Sequence, residues 1–97
     1  MLIVRNVFRL RFGKAKDAIP IAKELASINE KLGLPSARIL VDAVSDFYTL
    51  VLEFPVNSLT ELESGSNQVM ANSEWQSCYA RLIPLVESGR REIFRVV

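Results

Sequence analysis

FYTLVLEF, residues 47–54, combines β-branched and aromatic side chains with one charge, Glu53, and has no glycine or proline before Pro55. The run is too short for an ordinary helix and too apolar for a surface loop, so it reads as a strand with little exposure on either face. Alternation puts Tyr48, Leu50, Leu52 and Phe54 on one face and Phe47, Thr49, Val51 and Glu53 on the other. Such a strand belongs inside a sheet, and the flanking segments supply neighbours. Upstream, residues 37–44 alternate Ile39, Val41 and Ala43 with Arg38, Leu40 and Asp42. Ser45 and Asp46 then supply a turn, which makes residues 37–54 a hairpin.

Working outward, residues 2–12 alternate as well. Leu2, Val4, Asn6, Phe8, Leu10 and Phe12 share one face, with Ile3, Arg5, Val7, Arg9 and Arg11 on the other. Asn6 is the lone polar residue in the apolar row. After Gly13, apolar residues recur at three- and four-residue spacing from Ala15 to Leu32, the pattern of an amphipathic helix. Pro20 suits a start near Asp17, or a slight kink if the helix starts at Lys14. Gly33 and Pro35 form its stop. Beyond Pro55, Ser58 and Glu61 make a capping box, and the helix they open is expected to break at residues 64–67, Ser-Gly-Ser-Asn. Ser73 and Gln76 repeat the box and open a helix with a Trp75, Tyr79, Leu82, Val86 stripe, kinked at Pro84 and capped by Gly89. Residues 92–97 form the last strand. The order β-α-β-β-α-β implies a ferredoxin-like α+β domain spanning residues 1–97. Strands one and three are central, and the helices lie on one face of an antiparallel sheet.

Composition limits the chemistry. Hydrophobic residues make up 49% of 97, apolar enough for so small a chain that a partner is expected to cover some of its surface. Twelve basic and eleven acidic side chains give a net charge of +1, which offers no electrostatic reason for a nucleic-acid or anionic-membrane partner. The single Cys78 excludes an internal disulfide, and the absence of histidine removes every imidazole-based triad. Arginines interrupt the N-terminal apolar run from residue 5, and no stretch approaches the ~20 apolar residues of a membrane span. A cytoplasmic location is expected.

VRNVFRL (4–10), GKAKDAI (13–19), ARILVDAVSDFYTLVLEF (37–54) and above all EWQSCYARLIPLVESGRREIFRVV (74–97) resemble the dimeric α+β-barrel superfamily, most closely its NIPSNAP-like branch. The resemblance spans nearly the whole chain in pattern and length. It implies a homodimer in which two open sheet faces meet, with a pocket between sheet and helices. Haem-degrading monooxygenases of that superfamily use an Asn in the first strand, matched by Asn6, and a Trp in the second helical region, matched by Trp75. Their iron-ligating His has no counterpart, so no cofactor is expected. The cofactor-free antibiotic-biosynthesis monooxygenases imply polar and aromatic pocket residues, for which Asn72, Trp75 and Tyr79 are candidates alongside Asn6 and Phe8.

Each candidate also has a plainer reading. Asn6 either lines a pocket or ties buried backbone groups. Trp75 and Tyr79 are explained by helical spacing alone as core, and Cys78 as an inert small side chain. Arg5, Val7, Arg9, Phe47, Val51 and Glu53 are the dimer-face candidates. Their charges serve either as solvated cross-strand pairs or as the register of a wet dimer interface. An RNA-binding sheet is a further class, but FYTLVLEF lacks that module's glycine-containing aromatic motif. The sequence shows no catalytic signature and leaves enzymatic activity open. It points to a homodimer binding a small apolar or aromatic molecule, with a cofactor-free monooxygenase as the alternative.

Overall fold

A computed structural model describes residues 1–97. The elements are β1 (Leu2–Leu10), α1 (Ala15–Lys31), β2 (Arg38–Val41), β3 (Thr49–Val56), α2 (Leu59–Met70), α3 (Ser73–Leu82) and β4 (Val86–Arg95), with a 3-10 turn at Ile83–Leu85 before β4. The sheet runs β2-β3-β1-β4 with every pairing antiparallel, so strands one and three are central as the sequence order requires.

Register divides the sheet into two faces. Val4, Asn6 and Phe8 lie opposite Phe54, Leu52 and Leu50, whereas Ile3, Arg5 and Val7 lie opposite Pro55, Glu53 and Val51. The first set faces the helices. Leu10 and Leu50 form one cluster there with Ala18, Ala22, Leu25 and Ile28 of α1 and Cys78 and Leu82 of α3. Leu2, Val4 and Val56 form a smaller one against Leu62 of α2. The buried α1 positions keep the three- and four-residue spacing, so one stripe seals the helix onto the sheet. Gly33 then takes the left-handed conformation (φ 75°), and the Leu34 N–H returns to the Asn29 carbonyl at 3.0 Å. Arg81 to Glu24 and Lys31 to Glu74 tie α1 to α3 along their exposed edges.

Several boundaries differ from the sequence reading. Tyr48 has φ 61°, which breaks the pleat, so Phe47 and Tyr48 belong to the turn and β3 starts at Thr49. Pro55 does not end β3. Beyond Glu53 that strand no longer has β2 beside it, and a proline is tolerated on such a locally exposed edge. α2 continues through residues 64–67. The Ser58–Glu61 capping box and Leu62, packed against Leu2, Val4 and Val56, hold the helix despite the weak formers in its middle. Pro84 falls in the 3-10 turn after α3 has ended, so there is no kinked long helix. β4 therefore begins at Val86, and Gly89 is a strand residue rather than a helix cap.

Candidate functional site

The helix-facing side of β4 is less completely covered than those of β1 and β3. Where α3 turns through Ile83–Leu85 into β4, a cavity of about 200 Å³ remains, lined by Phe8, Tyr79, Leu82, Ile83 and Val86. The sequence builds it locally. Pro84 stops α3, so the chain reverses within three residues and β4 runs back beneath its own helix. Gly89 lies opposite Phe8, and a Cβ there would meet Phe8 Cδ1 and the Val7 carbonyl, both at 3.4 Å. The glycine thus leaves room for the Phe8 ring to lie over β4 as the cavity floor. Tyr79 stacks on Trp75 with centroids 4.8 Å apart and planes at 10°, which extends the aromatic wall along α3. A larger depression of about 640 Å³ runs along α2, lined by Thr60, Glu63, Ser64, Asn67, Gln68 and Ala71. Those residues are one stripe of one helix, so no groups converge there from a second element.

The residues singled out in the sequence do not all meet. Phe8 and Tyr79 line the cavity, and Trp75 joins through its stack on Tyr79. Asn72 caps α3 instead, its Oδ1 accepting from the Trp75 N–H at 2.8 Å, so the cap lies one residue before the Ser73 expected from sequence. Asn6 lies on the helix-facing side one pair beyond Phe8, and its Oδ1 accepts from Arg91 Nε at 2.8 Å. Arg91 was not a sequence candidate. It follows the glycine thought to be a helix cap and precedes the expected start of the last strand, so its facing could not be assigned. Cys78 is 1% exposed with its thiol toward the Ile21 carbonyl, and burial raises its pKa. It is no nucleophile in this setting.

On the opposite face lie Ile3, Arg5, Val7, Arg9, Leu40, Val51, Glu53 and Phe94, with neither core cluster on that side. Glu53 is 6% exposed and accepts from Arg5 Nε at 2.7 Å and from Arg38. The hydrogen bonds from Arg38, then Arg5, hold its carboxyl below the usual range against the opposing effect of burial. Arg5 also lies over the Phe94 ring at 5.7 Å. Arg9 reaches Asp46 at 3.6 Å and Glu87 at 3.7 Å. Phe47 is off this face. It sits in the turn, 71% exposed, with its ring 6.3 Å from that of Phe12.

No cluster of His, Cys, Asp and Glu side chains comes together to hold a metal ion. The cavity's one side-chain heteroatom is the Tyr79 hydroxyl, and the chain has no histidine to serve as the iron ligand of the haem-degrading enzymes.

No family model and no curated protein matches the chain. Solved structures do. A NIPSNAP family protein from Agrobacterium tumefaciens is 18% identical, with 99% of this chain and 92% of that one aligned at a TM-score of 0.88. An uncharacterized NIPSNAP domain protein from Burkholderia xenovorans is 17% identical over 100% and 95% of the two chains, TM-score 0.85. An antibiotic biosynthesis monooxygenase is 15% identical over 100% and 99%, TM-score 0.77. At these identities the likeness establishes the fold: a ferredoxin-like α+β sheet with its helices on one side.

Proposed function

We propose that residues 1–97 act as a single domain that pairs with a second copy through its open sheet face and binds a small apolar or aromatic molecule in the cavity beneath α3. The observation that carries this reading is the cavity itself: five apolar or aromatic linings from four elements, beside a stacked Trp75–Tyr79 pair. The pocket is half-open to solvent beside Ile83, and a ring-sized guest seated there would remove apolar lining from four elements from water. The open face supports the dimer. Ile3, Val7, Leu40, Val51 and Phe94 form an apolar field around the Glu53 ion cluster, and Phe94 is 51% exposed even with Arg5 over its ring.

A cofactor-free monooxygenase is the second reading, supported by the structural likeness to an antibiotic biosynthesis monooxygenase. In that reading the cavity would desolvate an activated aromatic substrate for attack on oxygen. Titrating the protein with small aromatics while following the indole fluorescence of Trp75 tests the site. Saturable quenching that is lost in Tyr79→Ala supports it, and no saturable change with any single-ring compound removes it. Oxygen uptake with a bound phenolic substrate separates enzyme from binder.

A further inference from the structure

We propose that the cavity selects an organic acid, a single apolar ring or short chain bearing a carboxylate, and that Arg91 is the residue that grips the carboxylate. This rests on the ligand-site reading of the cavity given above. The β1–β4 register puts Arg91 opposite Asn6, directly beside the Gly89–Phe8 pair whose ring forms the floor. Residues two apart along a strand lie roughly 7 Å apart on one face, within the reach of an arginine side chain.

Arg91 is held by its Nε alone, which donates to Asn6 Oδ1 at 2.8 Å. A guanidinium is a planar fork of donors, and this anchoring leaves its terminal nitrogens open for a bidentate partner. Its charge is also uncompensated. Arg5, Arg9, Arg38, Arg81 and Arg90 each reach a carboxylate, whereas Arg91 has a neutral amide in that place. Arg95, two pairs along on the same face, has no carboxylate either.

Size and charge narrow the class. A half-open pocket of about 200 Å³ with apolar walls has room to seat one ring with a small substituent. A single anchored guanidinium suits a monoanion. The N–H of Trp75 at the start of α3, which could have helped a phosphate, is already taken by Asn72.

Benzoate, its neutral isostere benzamide, and phenyl phosphate serve as probes in an NMR titration of the folded protein. Benzoate is expected to bind at least about tenfold more tightly than benzamide, with shifts at Phe8, Gly89 and Arg91. Arg91→Gln should bring benzoate affinity down to the level of benzamide, erasing that preference. Asn6→Ala, which keeps the charge but frees the fork, should lose part of it. Equal binding of benzoate and benzamide, or a benzoate preference that survives Arg91→Gln, overturns the assignment of Arg91 but leaves the cavity standing. Binding of neither removes the cavity reading and this inference with it. Phenyl phosphate binding tenfold more tightly than benzoate would overturn the carboxylate class.

Discussion

Glu53 is the residue whose chemistry is most constrained, a carboxylate 6% exposed on a face with no helix over it. Its pKa lies below the ordinary 4.5 because of the Arg38 and Arg5 hydrogen bonds. A depressed carboxylate contributes stability that is present above its unfolded pKa and is lost as pH falls through the folded one. The stability lead of wild type over Glu53→Gln is therefore expected to be full at pH 6 and to shrink steadily below about pH 4.5. Urea midpoints of both proteins between pH 6 and pH 2.5 measure it, and a lead that does not change with pH would mean the ion cluster is not its source. Asn6 stands in contrast. Its hydrogen bond goes to an exposed arginine rather than to buried backbone, so no buried group is stranded by its removal. Asn6→Leu is expected to shift Tm by less than about 4 °C in either direction, corresponding to about 0.5 kcal/mol in a domain of this size. A fall of 8 °C or more in a thermal scan would restore a structural role.

At the scale of elements, α3 gives a paired test. Asn72 accepts from the Trp75 N–H, so Asn72→Ala should cost about 0.5–2 kcal/mol, whereas Ser73→Ala, already inside the helix, should stay within about 0.5 kcal/mol. Equal losses in denaturant titrations would place the cap elsewhere. In α2, Gly65→Ala should stabilise by up to about 1 kcal/mol. The new methyl would contact only the flexible tip of Leu34 at 3.4 Å. These two helices mark what the sequence could and could not disclose. Alternation in 2–10 and 49–54 and the α1 stripe are local patterns tied to one buried face, so the element order and the strand faces were legible. The Ser-Gly-Ser-Asn stretch was read by propensity, and α2 is held instead by contacts to residues far along the chain. The same limit hid Arg91. Asn6 stood out as a polar break in an apolar row, but its partner could be found only from the β4 register, which depends on where Pro84 ends α3. Asn72 and Ser73 are both good caps by composition, and only backbone geometry separates them.

For the whole molecule, the two sides of the sheet pose different problems. One carries three helices packed over two core clusters, none of the helices long and apolar enough to cross a membrane. The other leaves Leu40 and Phe94 at 36% and 51% exposure beside half-buried Val51, where covering them would contribute at ~25 cal/mol per Å² of apolar area. A second copy is a fitting cover, because a two-fold axis presents the same apolar field and the same Glu53–arginine cluster to itself. Light scattering at micromolar concentration is expected to give about twice the 10.9 kDa chain mass. Val51→Asp puts a charge into the middle of the face and should dissociate or unfold the protein, so a gentler variant is needed to tell those outcomes apart. Leu40→Ser with Phe94→Ser removes apolar surface that the monomer already exposes, and should yield a folded monomer with the far-UV spectrum unchanged. Ile83→Ser, equally exposed at 57% but on the helix side, should remain dimeric. A wild-type mass of one chain across that concentration range would end the dimer reading. A dimer that persists in the double variant would move the interface off this face and onto the exposed edges of β2 or β4.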